Sequence, residues 1–246
     1  MNPTLIAGDY VLVFKPTAGG RIFNIFKALK NEKVSIKRLP GFRHIRHNDI
    51  LVFNFPYPES PDSIHFNVHK YYIKRCIGLP GDTLSIVNGF YLVNGQKGIT
   101  GNQFSQKKLS RLGSDNINSK RFRCQSDSLL NWNIKDFGPL YIPQRGDSLP
   151  LTPVNLKLYG HLIAWEQKGQ THIRDSQLYI RDSLVNSYRF EKDYYFMGGD
   201  NVENSEDSRY WGLLPEEFIV GKTAFIWKSV DGYGNWRWDR FLKKTS

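Results

Sequence analysis

The sequence predicts a mainly β fold, a β-rich core split by a less regular insertion. Three observations carry that prediction. Runs of β-branched and aromatic residues recur between Gly, Pro and Asn turns, as in ILVFNFP (50–56), KYYIKRCIGLP (70–80) and TLSIVNGFYLVNG (83–95). The chain holds 13 Tyr and 16 Phe, residues that suit a pleated, half-buried surface better than a helical bundle. A 3.6-residue apolar period, the mark of an amphipathic helix, is clear in only one early stretch.

Taken in order, the elements begin with residues 9 to 15, where Tyr10, Val11, Leu12, Val13 and Phe14 follow the turn pair Gly8-Asp9 and predict a strand. Before it lies Met1-Asn2-Pro3-Thr4-Leu5, in which Pro3 biases Asn2 toward an extended backbone. The helical stretch is GGRIFNIFKALKNEK (19–33). Its Ile22, Phe23, Ile25, Phe26 and Leu29 recur at helical spacing, and Lys27, Lys30 and Lys33 take much of the remaining surface. A basic amphipathic helix either lies on a membrane or packs on its own sheet. The three runs quoted above come next, and Asn88-Gly89 between two apolar runs is a strong hairpin signal. Residues 96–157 are polar and turn-rich. Strand patterns resume at LKLYGHLIAWEQ (156–167), THIRDSQLYIRD (171–182) and SYRFEKDYYFMGG (187–199). The expected division is a core of residues 1–95 and 191–246 with an inserted cap of 96–190.

Bulk properties narrow the function classes. The net charge of +11 suits an anionic partner, either nucleic acid or an acidic membrane surface. No RNP-like aromatic box, zinc spacing or basic recognition helix accompanies that charge, so nucleic acid is not an expected partner. Cys76 and Cys124 are the only cysteines, and a single distant pair makes neither a disulfide framework nor a metal knuckle. The six histidines (His44, His47, His65, His69, His161, His172) are scattered; no metal and no cofactor is expected. No run approaches the ~18 apolar residues that span a bilayer, and no signal-peptide pattern opens the chain.

Two stretches carry possible chemistry. In YYIKRCIGLPGD, strand alternation puts Tyr72, Lys74 and Cys76 on one face and Ile73, Arg75 and Ile77 on the other. A lysine in a strand is ordinarily a solvated cation. If Lys74 is desolvated, its pKa falls, and a fall of about two units from ~10.4 turns an inert ammonium into a usable general base. The second stretch, MGGDNVENSEDSRYWGLLPEE, packs Asn204, Ser205, Asp207, Ser208 and Arg209 into six positions after a strand and a Gly-Gly turn. It reads either as a polar surface loop or as a clamp. In the clamp, a serine hydroxyl orients a neutral lysine amine, and an Asp–Arg pair pins the loop presenting that serine.

Four boxes in this order, MNPTLIAGDYVLV, NDILVFNFP, YYIKRCIGLPGD and MGGDNVENSEDSRYWGLLPEEFIVGKTAFIW, resemble the type I signal peptidases, membrane-bound serine endopeptidases with a Ser/Lys dyad. The IKRxIGLPGD and NSxDSRYWG patterns are the specific ones. Val202 departs from the pattern, standing where an Arg is common, and nothing in 96–190 or 19–33 is diagnostic. The resemblance implies an antiparallel β catalytic core of the signal-peptidase type and removal of N-terminal signal peptides from exported proteins after a small-x-small motif. It implies Lys74 as general base, Ser205 as the hydroxyl that bonds the lysine amine, and Asp207 with Arg209 as the support of that loop. Met1, Leu5, Tyr72 and Ile73 are implied to line the shallow pocket that admits alanine.

The family's nucleophile is a serine immediately before the Met of its first box, and that Met is Met1 here. The expectation is therefore that residues 1–246 alone hydrolyse nothing. An active enzyme is expected on the outer, periplasmic face of the inner membrane, in contact with lipid and with the signal peptides of preproteins; a chain truly starting at Met1 is expected to be soluble. The alternative is a non-catalytic relative that binds signal peptides without cutting them. The sequence does not specify an oligomeric state.

Overall fold

The computed structural model describes residues 1–30, 32, 34–60, 63–98, 100–113 and 130–245. The first part of the chain forms β1 (Asp9–Phe14), β2 (Arg21–Ile22), helix α1 (Ile25–Leu29), β3 (Lys37–Arg38), β4 (Ile50–Asn54) and β5 (Tyr71–Gly78). It continues through β6 (Thr83–Val87), β7 (Phe90–Val93), β8 (Gln96–Lys97) and helix α2 (Gln103–Ser110). Beyond residue 130 come β9 (Phe137–Tyr141), β10 (Ser148–Pro150), helix α3 (Pro153–Glu166), β11 (Thr171–Arg174), β12 (Gln177–Ile180), β13 (Ser183–Val185) and β14 (Ser187–Arg189). The chain closes with β15 (Tyr194–Gly198), helix α4 (Ser208–Trp211), β16 (Leu214–Pro215) and β17 (Ile219–Ser229). The fold is mainly β, as the sequence predicts.

A six-stranded sheet in the order β1-β17-β4-β5-β15-β16 is the frame of the molecule, and every neighbouring pair in it is antiparallel. A four-stranded sheet, β8-β7-β6-β9, packs beside it. This second sheet joins β6 and β7, from before residue 95, to β8 and β9 from after it. The hairpin between β6 and β7 turns on Asn88 (φ 48°) and Gly89 (φ 82°), the positive-φ pair that a two-residue turn of matching twist demands. Smaller pairings, β11-β12-β13, β10-β14 and β2-β3, sit outside these two sheets.

Most buried side chains belong to one core. Leu51, Phe53, Cys76, Ile77, Phe196 and Met197 of the large sheet meet Leu84, Ile86 and Tyr91 of the second sheet and Leu156, Leu162 and Ile163 of α3. Each such side chain contributes roughly 1.5–3 kcal/mol of transfer free energy. A smaller cluster holds Leu5, Ile50 and Ile226, with Met1, Val11 and Ile73 packed against it.

Two expectations fail. LKLYGHLIAWEQ is not a strand but the greater part of α3. Thr152 caps that helix by accepting a hydrogen bond from Asn155 N at 3.2 Å, and Pro153 opens it, the favoured place for proline in a helix. Its buried residues, Leu156, Tyr159, Gly160, Leu162, Ile163 and Glu166, then follow a helical stripe. The helix expected over 19–33 shrinks to the five residues of α1. Arg21 is drawn out of it, donating to Asn54 Oδ1 at 2.8 Å and to Phe218 O at 3.3 Å, while Ile22 pairs with Lys37. Asn24 caps what remains. Cys124, and part of the polar stretch at 103–120, lie outside the described residues.

Candidate active site

Lys74 sits in the middle of β5, where Leu51 of β4 pairs with it on one side. On the other side β15 covers only Arg75 to Gly78 before it ends at Gly198. No described strand covers that second edge of Tyr71–Lys74. The chain turns at Gly199 and winds through residues 200–207 back over Lys74, because a short 3-10 turn at Val202–Asn204 leads into Ser205.

Lys74 Nζ donates to Ser205 Oγ at 3.1 Å. Ser205 is buried. Gly199 makes this approach possible: a Cβ there would stand 2.0 Å from Ser205 Oγ and 3.5 Å from Lys74 Nζ. Burial lowers the Lys74 pKa from its ordinary value, and the Arg209 charge lowers it further. The carboxylates of Asp207, Glu206 and Asp200 oppose the shift without cancelling it. The strand thus holds its lysine closer to neutrality than water would.

Asp207 and Arg209 form the brace beneath this contact. Both are fully buried and joined bidentately, Arg209 Nε to Asp207 Oδ1 and Arg209 Nη2 to Asp207 Oδ2, each at 2.8 Å. Arg209 also donates to Val202 O at 2.7 Å, and Gly199 N donates to Asp207 Oδ2 at 3.1 Å. One ion pair therefore ties both ends of the 199–209 loop. Burial pushes the Asp207 carboxyl up, but the charge and hydrogen bonds of Arg209 more than reverse this and hold it below the usual carboxylate range. Ser208 adds a strut, accepting from Met197 N at 2.9 Å.

A second ion pair escaped sequence reasoning. Arg75 reaches Asp200 through Nε at 2.7 Å and Nη2 at 2.8 Å, and donates to Asn48 O at 2.9 Å. Thr4 donates its hydroxyl to the same Asp200 carboxylate. This network joins the N-terminal segment, β5 and the start of the 199–209 loop. The two residues of the ion pair stand in the IKR and GGD letters of the matched boxes.

The N-terminal segment runs into the same place. The Met1 amine is partly buried and its pKa is lowered, first by desolvation and then by the positive charge of Lys74, with Asp200 and Asp207 acting in the opposite sense. Of the four residues expected to line an alanine pocket, the structure gathers Met1, Leu5 and Ile73 into one cluster. It places Tyr72 on the opposite face of β5, stacked on Phe55 with centroids 4.4 Å apart. Cys76 is fully buried and its thiol is pushed well up, first by that burial, so it serves as a core side chain. A cavity of about 220 Å³ opens beside Ser205, lined by Glu203, Asn204, Ser205, Glu206 and Tyr210. The larger cavity, about 650 Å³, touches neither Lys74 nor Ser205; it lies between α3 and the segment around His65. Among the described residues no group of His, Cys, Asp or Glu could hold a metal ion.

Comparison with known proteins places the chain in a family. The chain is 43% identical over 238 residues to a protein named signal peptidase I from Aquifex aeolicus, covering 93% of this chain and 72% of that one. It is 29% identical over 248 residues to the signal peptidase I of Buchnera aphidicola from Schizaphis graminum, covering 94% of this chain and 66% of the relative. The chain thus spans about two thirds of that relative's length. A solved signal peptidase I from Enterococcus faecalis aligns with a TM-score of 0.34 at 17% identity, over 73% of this chain and 97% of that one. The family described as signal peptidase, peptidase S26, matches residues 1–228, a span that takes in β1, β5 and the whole 199–209 loop, and the chain belongs to that family.

Proposed function

We propose that this chain is the catalytic portion of a serine endopeptidase that removes N-terminal signal peptides from exported proteins, with Lys74 as general base. The observation that carries the reading is the desolvated Lys74 amine, bonded to Ser205 at 3.1 Å and facing the Met1 amine. In this reading a serine joined to the Met1 amine is the nucleophile. Neutral Lys74 takes the proton from its hydroxyl as the oxygen bonds to the scissile carbonyl carbon. The tetrahedral intermediate collapses, the C–N bond breaks, and the Lys74 ammonium returns the proton to the leaving amine. Water then repeats the sequence on the acyl-enzyme, with Lys74 again the base. Ser205 holds the amine in line, and Asp207 with Arg209 holds Ser205.

The uncovered edge of Tyr71–Lys74 supports a seat for the substrate, which adds to it as an extended segment. Met1, Leu5 and Ile73 form an apolar floor beneath that seat, suited to small side chains. Tyr72 is assigned to the opposite wall. The membrane is the expected partner surface: Tyr10, Leu12 and Phe14 on the outer face of β1 are exposed, as are Trp227, Trp236 and Trp238. Among the described residues no helix is long and apolar enough to cross a bilayer.

The test compares the 246-residue chain with one extended at Met1 by a short segment ending in serine, each offered a peptide containing Ala-Gln-Ala. The extended chain is expected to cleave after the second Ala, the 246-residue chain to cleave nothing, and Lys74→Ala to silence the extended chain. Equal cleavage by both chains would place the nucleophile elsewhere. No cleavage by either would favour a protein that binds signal peptides without cutting them.

A further inference from the structure

The residue between the two small substrate residues meets a different part of the site from its neighbours. In an extended segment successive side chains point to opposite faces. If the two small residues face Met1, Leu5 and Ile73, the residue between them faces the Tyr72 side of the sheet. The side chain that stands there is Glu206. It is exposed, and it lines the cavity beside Ser205. Its charge is felt at both the Tyr72 hydroxyl and the Lys74 amine.

The other carboxylate of this cavity, Glu203, is matched by Lys108 of α2 at 2.8 Å. Glu206 has no ion-pair or hydrogen-bond partner among the described residues. In a chain of net charge +11, an unmatched carboxylate on the rim of a peptide seat selects by charge.

We propose that Glu206 makes the site favour a Lys or Arg side chain at the middle position of the small-x-small motif, whose cationic head reaches the cavity beside Ser205. The inference rests on the peptide seat of the preceding section and adds a substrate preference to it. It requires no change at Lys74 or Ser205. An exposed pair of this kind discriminates by a small factor, roughly two- to fivefold, and the factor shrinks as salt rises.

The experiment is an NMR titration of the 246-residue chain with three peptides that differ only at the middle position, Ala-Lys-Ala, Ala-Gln-Ala and Ala-Glu-Ala. The amides of residues 71–74 report binding. The Lys peptide is expected to bind most tightly and the Glu peptide least. Glu206→Gln should bring the three dissociation constants together, and Glu206→Lys should reverse their order. Glu59→Gln, the same charge change at a remote exposed site, should leave the original order intact. Equal binding of the three peptides to the unaltered chain would overturn the proposal. So would an order that survives Glu206→Gln or is lost in Glu59→Gln. If even Ala-Gln-Ala leaves the 71–74 amides unmoved, the peptide seat itself fails and the preference falls with it.

Discussion

In the proposed mechanism Lys74 is the base, and its protonation can be read from a rate. Burial lowers its pKa below the ordinary 10.5, so the neutral base is populated at lower pH than a surface lysine would be. For the serine-extended chain kcat/KM is expected to rise with pH along a single limb whose midpoint lies below 10.5. A midpoint at or above that value would mean that the lysine stays solvated. Asp207 is a question of stability. Asp207→Asn removes the buried carboxylate charge that Arg209 grips bidentately, and loss of one partner of a buried ion pair costs about 3–5 kcal/mol. Urea denaturation at pH 7 should show that loss. The folded pKa of Asp207 is depressed, so its contribution is present above the unfolded value near 3.8 and fades as pH falls through the lower folded value. Acid titration of stability should therefore be shallower in the variant.

At the scale of elements, α3 and α1 mark where the sequence could and could not be read. β5 and the β6–β7 hairpin were legible, because alternation and the Asn-Gly turn are local signals. α3 was hidden by its own richness: LKLYGHLIAWEQ is apolar enough to suit a buried strand or a buried helix, and only Thr152-Pro153, just upstream, breaks the tie. Thr152→Ala removes that cap and is expected to cost about 1 kcal/mol, measured as a shift of the urea midpoint with an unchanged slope. α1 erred in the opposite direction. Its apolar period was real, but Arg21 is claimed by Asn54 of β4 and by Phe218 just before β17, contacts that no local window contains. The Lys74–Ser205 contact spans 131 positions and was reached through the resemblance of two boxes. The Arg75–Asp200 pair lay in those same boxes, but a charged pair without a chemical role leaves no mark on a single sequence.

The whole molecule presents an aromatic flank that bulk composition could only suggest. Trp236 and Trp238 stack at 4.9 Å, and Lys228 lies 5.5 Å from the Tyr10 ring and 5.1 Å from that of Trp236. Rings that are amphipathic and flanked by cations suit the headgroup layer of an anionic bilayer. Trp236→Ala with Trp238→Ala is expected to lower sedimentation of the chain with phosphatidylglycerol vesicles several-fold and to leave its melting temperature nearly unchanged. Retention equal to the unaltered chain would remove this flank from the membrane reading.

The free edge of β5 is only four residues long, and that shortness governs how substrates must be delivered. Alternate residues of a strand point their backbone groups to the same side, so this edge offers two residues' worth of hydrogen bonds. At ~0.5–1.5 kcal/mol net apiece, these give a few kcal/mol, the scale of a millimolar dissociation constant. A peptide diffusing in solution would be held only briefly. Under the proposed function, with chain and preprotein held at one bilayer, confinement to a thin layer raises the preprotein's local concentration toward that range. A short edge then becomes an advantage: a severed leader that binds weakly departs, and the seat is clear for the next chain.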